Sequence, residues 1–181
     1  NRASAAVRAG WRAVDLLNPA NSDPGVCAAG ETPLQCEIRL TQPAVMVISI
    51  GYNDALAGTD SVEFSAALQQ IVQTVVSNGV IPVLTTVQPR PDMAAAVQTI
   101  NNAIIETTNA NNVPVLNLWR ALNALPNSGL NADMATLNVA PTGAGDLSVS
   151  AVSGYGLNAR SFYLLTMLNA LRNTVFPDAV P

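Results

Sequence analysis

The stretch VMVISIGYNDALAG, Val45 to Gly58, decides how this chain folds. A run of β-branched and apolar residues with no polar alternation is what a strand covered on both faces requires, as in a parallel sheet. It predicts a strand over residues 44–50. The run ends on Gly-Tyr-Asn-Asp. Glycine lets the backbone turn sharply. In open α/β sheets, ligands bind at the carboxyl ends of strands, so Asn53 would present a neutral amide donor at such an end. A preorganised donor of that kind is what an oxyanion hole needs. Asn and Asp are also ordinary turn residues, because their side chains bond nearby backbone. The tetrapeptide alone leaves both readings open.

The same pattern repeats outward. Asp60 or Ser61 caps a helix running to about Asn78, with Val62, Leu68, Ile71, Val72 and Val75 on its apolar face and Gly79 as its stop. Residues 80–87, VIPVLTTV, predict a second buried strand ending at QPRPD, which reads as a rigid turn or a substrate-facing loop. Asp92 can cap a helix to about Asn111. Residues 113–117 predict a third strand, followed by a short helix in LWRALNAL. A last helix spans 158–174. Strands alternating with helices imply βαβ units in an α/β fold with a mainly parallel sheet. Upstream, RAVDLL predicts a short helix entered at Gly10-Trp11, and residues 18–42 read as an irregular loop. Residues 127–156 are poorly periodic, and the terminal FPDAVP reads as a surface tail.

The 181 residues suit one domain, 1–181. With 49% hydrophobic residues a sizeable core is available, while only 11% are charged. All eight basic residues are arginine and none is histidine, for a net charge of −4. No basic stripe exists to neutralise phosphates, which argues against nucleic acid. No apolar run reaches the ~18 residues of a membrane span. Cys27 and Cys36, with eight residues between them, favour a local disulfide that staples the long loop; two free thiols are the alternative. A disulfide would place the chain outside the reducing cytosol, at the cell surface or secreted. No metal site is expected, since Asp54, Asp60 and Glu63 lack ligand spacing and suit a helix N-terminus. Tyr52 is a candidate sugar platform beside the cleft expected at this turn, Trp119 a core residue, and Trp11 open to either role.

Taken together, these segments resemble the SGNH, or GDSL-type, hydrolases, in a secreted bacterial SGNH-like branch. IGYNDA resembles the family's GxND block, and AAVRAGWRAVDLLNP resembles its second block, in which a glycine opens a helix. VIPVLTTVQPRPD and VPVLNLWRALNALPNSGL follow in family order. The resemblance implies a three-layer, flavodoxin-like α/β/α fold and no cofactor. It matches Asn53 to the oxyanion asparagine and Gly10 to the glycine that donates its backbone N–H. The family's DxxH block falls at NADMATLN, so Asp133 matches the acid and Thr136 stands at the histidine position. An alternative placement in VSGYGLNARSFYLL would put Ser153 and Gly156 there instead.

Two departures follow. A threonine hydroxyl has no basic form near neutral pH, whereas imidazole titrates near pH 6.5. The Gly-Asp-Ser nucleophile block does not occur in the sequence, and Ser4 follows no strand. The expectation is a catalytically degenerate extracellular domain acting as a binding or structural module, possible partners being a glycan or cell-surface component. The alternative is an active GDSL-type esterase or lipase on acylated carbohydrate or lipid, its serine supplied upstream. A first strand is also expected to be missing, so that another polypeptide segment or subunit completes the sheet, with this chain the C-terminal part of a longer precursor.

Overall fold

A computed structural model describes residues 3–175; the tail read at 176–181 lies outside them. The chain divides into two compact units, residues 3–87 with 93–115 and residues 88–92 with 116–175.

The first unit holds a small parallel sheet flanked by helices, in strand order β1-β2-β3: Val45–Ile48, Ile81–Thr85 and Val115–Leu116. The α/β expectation holds. β1 and β2 run parallel, Val45 opposite Ile81 and Ile48 opposite Leu84. The Ile81 N–H bonds to the Ala44 carbonyl. In a parallel ladder alternate residues turn both polar backbone groups to the same side, so Val45, Val47 and Ser49 turn theirs away from β2. That edge pairs with no strand among the described residues. On β2, Leu84 N–H meets the Pro114 carbonyl. Pro82 and Pro114 have no N–H to give, which keeps β3 to two residues.

Helix α3, Ser61–Ser77, is capped by Asp60, whose carboxylate accepts from Val62 and Glu63 N–H. Its buried stripe is Phe64, Leu68, Ile71, Val72 and Val75. These join Ile48, Val80 and Leu84 from the sheet and Val97, Ile100 and Ile104 of α4, Ala94–Asn111, in one core. Burying each such side chain contributes roughly 1.5–3 kcal/mol. Val62 is 74% exposed, contrary to its expected place on the apolar face; the helical phase set by Phe64, Leu68 and Ile71 turns it to solvent.

The expected loop 18–42 contains two helical stretches. A 3₁₀ turn spans Pro19–Asn21, and α1 spans Pro33–Thr41. α1 starts on a reciprocal capping box between Thr32 and Gln35, with Pro33 in its first position. Cys27 and Cys36 form the expected disulfide. The segment 12–17 is a 3₁₀ helix, Ala13–Leu17. Asp92 does not cap α4. Pro91–Met93 form a 3₁₀ turn, Met93 is the N-cap, and the Asp92 carboxylate is held by Arg90 at 2.6 and 2.8 Å.

In the second unit, α5 (Leu118–Asn123), α6 (Val149–Gly154) and α7 (Gly156–Val175) pack with a 3₁₀ turn at Pro126–Gly129. Gly156 is required: a Cβ there would collide with the Gly129 carbonyl. The buried Asn158 amide donates to the carbonyls of Gly143 and Asp146 and accepts from Ala140 N–H, pinning the aperiodic stretch. Trp119, expected in the core, is 41% exposed.

Candidate functional site

Gly51 has a φ of +108°, and a Cβ there would lie 2.7 Å from Ile100 Cγ2. Only glycine accepts both the conformation and the close approach. It turns the chain straight into α2, Tyr52–Ala57. Asn53 and Asp54 therefore sit in the first turn of a short helix rather than in an open loop.

The two side chains clamp the segment that follows Gly10. The Asn53 amide donates to the Trp11 carbonyl at 2.8 Å. The Asp54 carboxylate accepts from Ala13 N–H at 3.1 and 3.3 Å. Asp54 is fully buried, and burial raises its carboxyl above the usual range, opposed by the Ala13 bond. Gly10 itself is exposed with a φ of +81°. The Gly10 N–H and the second N–H of the Asn53 amide make no hydrogen bond among the described residues. These two N–H groups belong to the positions that the sequence resemblance matches to the family's oxyanion donors. Tyr52 and Trp11 are half-buried and pack against the core, and the Arg8 guanidinium lies 5.0 Å from the Trp11 ring. Ser4 accepts locally from Ala6 N–H.

Asp133 and Thr136 meet in the second unit. One Asp133 oxygen accepts from the N–H groups of Ala135 and Thr136, both at 2.9 Å. The other accepts from the Thr136 hydroxyl at 2.6 Å. The hydroxyl bond, then these two N–H groups, hold the Asp133 carboxyl down at about 2. Thr136 Oγ1 in turn accepts from the Asn131 amide at 2.9 Å. The hydroxyl is thus committed as a donor to a carboxylate. Of the alternative pair, Ser153 is exposed on α6 and bonds back to Ser150, while Gly156 is buried at the start of α7. Neither carries a titratable group.

Two anchoring residues escaped the sequence reading. Asn101, buried on α4, accepts from Val87 N–H and donates to Val87 O, fixing the exit of β2. Its signal is a polar residue amid the apolar stripe Val97, Ile100, Ile104. Gln88 donates to the Ala135 carbonyl at 2.6 Å, tying the QPRPD loop to the Asp133 turn; nothing in the sequence marks that bond. The described acids Asp54 and Asp60 serve backbone N–H groups.

No curated protein matches the chain. Solved structures do. A lipolytic protein of the G-D-S-L family from Desulfitobacterium hafniense DCB-2 superposes with a TM-score of 0.58 at 18% identity, over 87% of this chain and 76% of that one. The lipase/acylhydrolase from Enterococcus faecalis gives 0.54 at 19%, over 74% and 64%. The psychrotrophic esterase EstA from Pseudoalteromonas sp., in a structure inhibited by monoethylphosphonate, gives 0.52 at 12%, over 76% and 66%. At these identities the likeness is one of fold, and the chain spans about two thirds to three quarters of the length of these proteins. The model of the GDSL-like lipase/acylhydrolase family matches residues 3–146. Since that match covers well over half of the sequence, the chain belongs to the GDSL-like lipase/acylhydrolase family.

Proposed function

We propose that this chain is a catalytically degenerate member of its family, serving outside the cell as a binding or assembly module. The observation that carries the reading is Thr136, whose hydroxyl donates to Asp133 at 2.6 Å where the family places its base. A hydroxyl so engaged accepts no proton from an attacking nucleophile, and the sequence holds no histidine to replace it. Losing a triad member lowers serine-hydrolase rates by several orders of magnitude. The Cys27–Cys36 disulfide supports an oxidising location. The open edge of β1 supports a partner that adds a strand, from another segment or subunit.

A second reading, an esterase whose serine comes from a segment upstream, is favoured by the unused N–H groups of Gly10 and Asn53. A fluorophosphonate probe and an acetyl ester separate the two. The degenerate module gives neither labelling nor hydrolysis above buffer. Stoichiometric serine labelling of the native protein with turnover of the ester supports the esterase and ends the first reading.

A further inference from the structure

The second unit contains a pocket of about 460 Å³, lined in part by Pro91, Asn127, Ser128, Asn131 and Met134. That volume lies within the range of small-molecule sites. Among the described residues, five non-glycine residues have positive φ: Gln42, Asn112, Asn127, Ser128 and Met134. Gln42 and Asn112 are left-handed helix C-caps, an ordinary use of that conformation. The other three, with φ of 49°, 55° and 53°, all line this pocket. Such conformations are costly away from glycine and concentrate where a site is held in a fixed shape.

That backbone sets two unpartnered polar groups at the wall. The Asn127 amide and the Ser128 hydroxyl make no hydrogen bond among the described residues. Pro91 and Met134 add apolar surface, and no charged residue lines the pocket. The adjacent Asp133 carboxylate is already satisfied by three hydrogen bonds.

We propose that this pocket binds a neutral oligosaccharide, with the Asn127 amide and the Ser128 hydroxyl meeting its hydroxyls and Met134 and Pro91 meeting its C–H faces. Sugars combine uncharged hydroxyls with small apolar patches, which is the chemistry of this lining. A peptide would call for a strand edge, a long apolar groove or an aromatic-lined channel, and the lining residues supply none of these. The inference deepens the binding-module reading and rests on it.

The test uses the full chain and four probes: cellotetraose, maltotetraose, tetra-N-acetylchitotetraose and, as an anionic control, tetragalacturonate. Calorimetry and amide NMR shifts should show saturable binding of at least one neutral probe, with shifts centred on residues 127–134. Asn127→Gly removes the amide while suiting the left-handed backbone. It should keep or raise Tm and weaken that binding roughly 3- to 10-fold, the worth of one hydrogen bond. Ser128→Gly should do the same. The inference fails if no neutral probe saturates below about 10 mM, if the shifts lie elsewhere, if the anionic probe binds as well, or if both variants bind unchanged. Fluorophosphonate labelling with ester turnover would instead end the degenerate reading, whatever the sugars do.

Discussion

Asp133 and Thr136 form a hydrogen-bonded pair at the positions that the sequence resemblance matches to the family's acid and base. In a working triad the carboxylate orients an imidazole and stabilises its charged form. Here the same carboxylate takes the threonine hydroxyl and two backbone N–H groups, and is held at about 2. A carboxyl lowered on folding adds stability above its unfolded value, near 3.8, and that stability is lost as pH falls through about 2. Thr136→Val removes the first cause of the shift while leaving the N–H bonds. The Asp133 carboxyl carbon, followed by NMR, should titrate near pH 2 in the native chain and at a clearly higher pH in the variant, toward the ordinary value. An unmoved midpoint would mean that the backbone groups alone hold the carboxylate. The variant should show no change in ester hydrolysis.

Among the elements, β1 presents a sheet edge that pairs with no strand among the described residues. Its edge carries no lysine, no proline and no bulge, the devices that keep natural edges from pairing, and Val47 is 37% exposed on it. Val47→Lys should therefore suppress concentration-dependent self-association in sedimentation velocity, with a stability change within about 0.5 kcal/mol, as for most surface substitutions. Association that survives the lysine would point to another surface. The strands and the long helices were legible because their signals are local. The apolar run of β1 and the Asp60 cap with its 3.6-residue stripe needed no tertiary information. α1 was also legible in principle, through Thr32-Pro33-Leu34-Gln35, but the density of Pro, Gly and Asn before it masked the capping box. α2 was not legible, since six residues nucleate a helix poorly by themselves, and it forms because Gly51 packs into Ile100, Val87 and Phe64. The shortness of β3 follows from prolines on both sides of one ladder.

For the whole molecule, the sequence marked the candidate site's residues but not what they do. Asn53 was readable as a donor, yet its bond to Trp11 joins residues 42 apart in sequence, and the strain around Asn127 and Met134 has no local marker at all. The disulfide was the clearest covalent constraint in the chain. It closes a ten-residue loop from Cys27 to Cys36, and Cys36 is fully buried within the first turns of α1. Other ties are the Ser22 hydroxyl to the Glu31 carbonyl and Ala28 N–H to the Glu31 carboxylate, and the Arg39 guanidinium to Glu31 and to the Val26 carbonyl, an exposed ion pair that salt screens. Chain-entropy reasoning assigns a loop of this size about 2.7 kcal/mol. Reduction, or the Cys27→Ser/Cys36→Ser double variant, should lower the urea unfolding free energy by about 2–3 kcal/mol. Hydrogen exchange should quicken first over residues 22–41, while the α3 core around Phe64, Leu68 and Ile71 keeps its protection. Added salt should loosen this segment further in the reduced chain and leave the oxidised chain unchanged, because only without the bridge does the loop depend on the Glu31–Arg39 pair. Equal salt sensitivity in both forms would show that the ion pair, and not the covalent bridge, fixes the entry to α1.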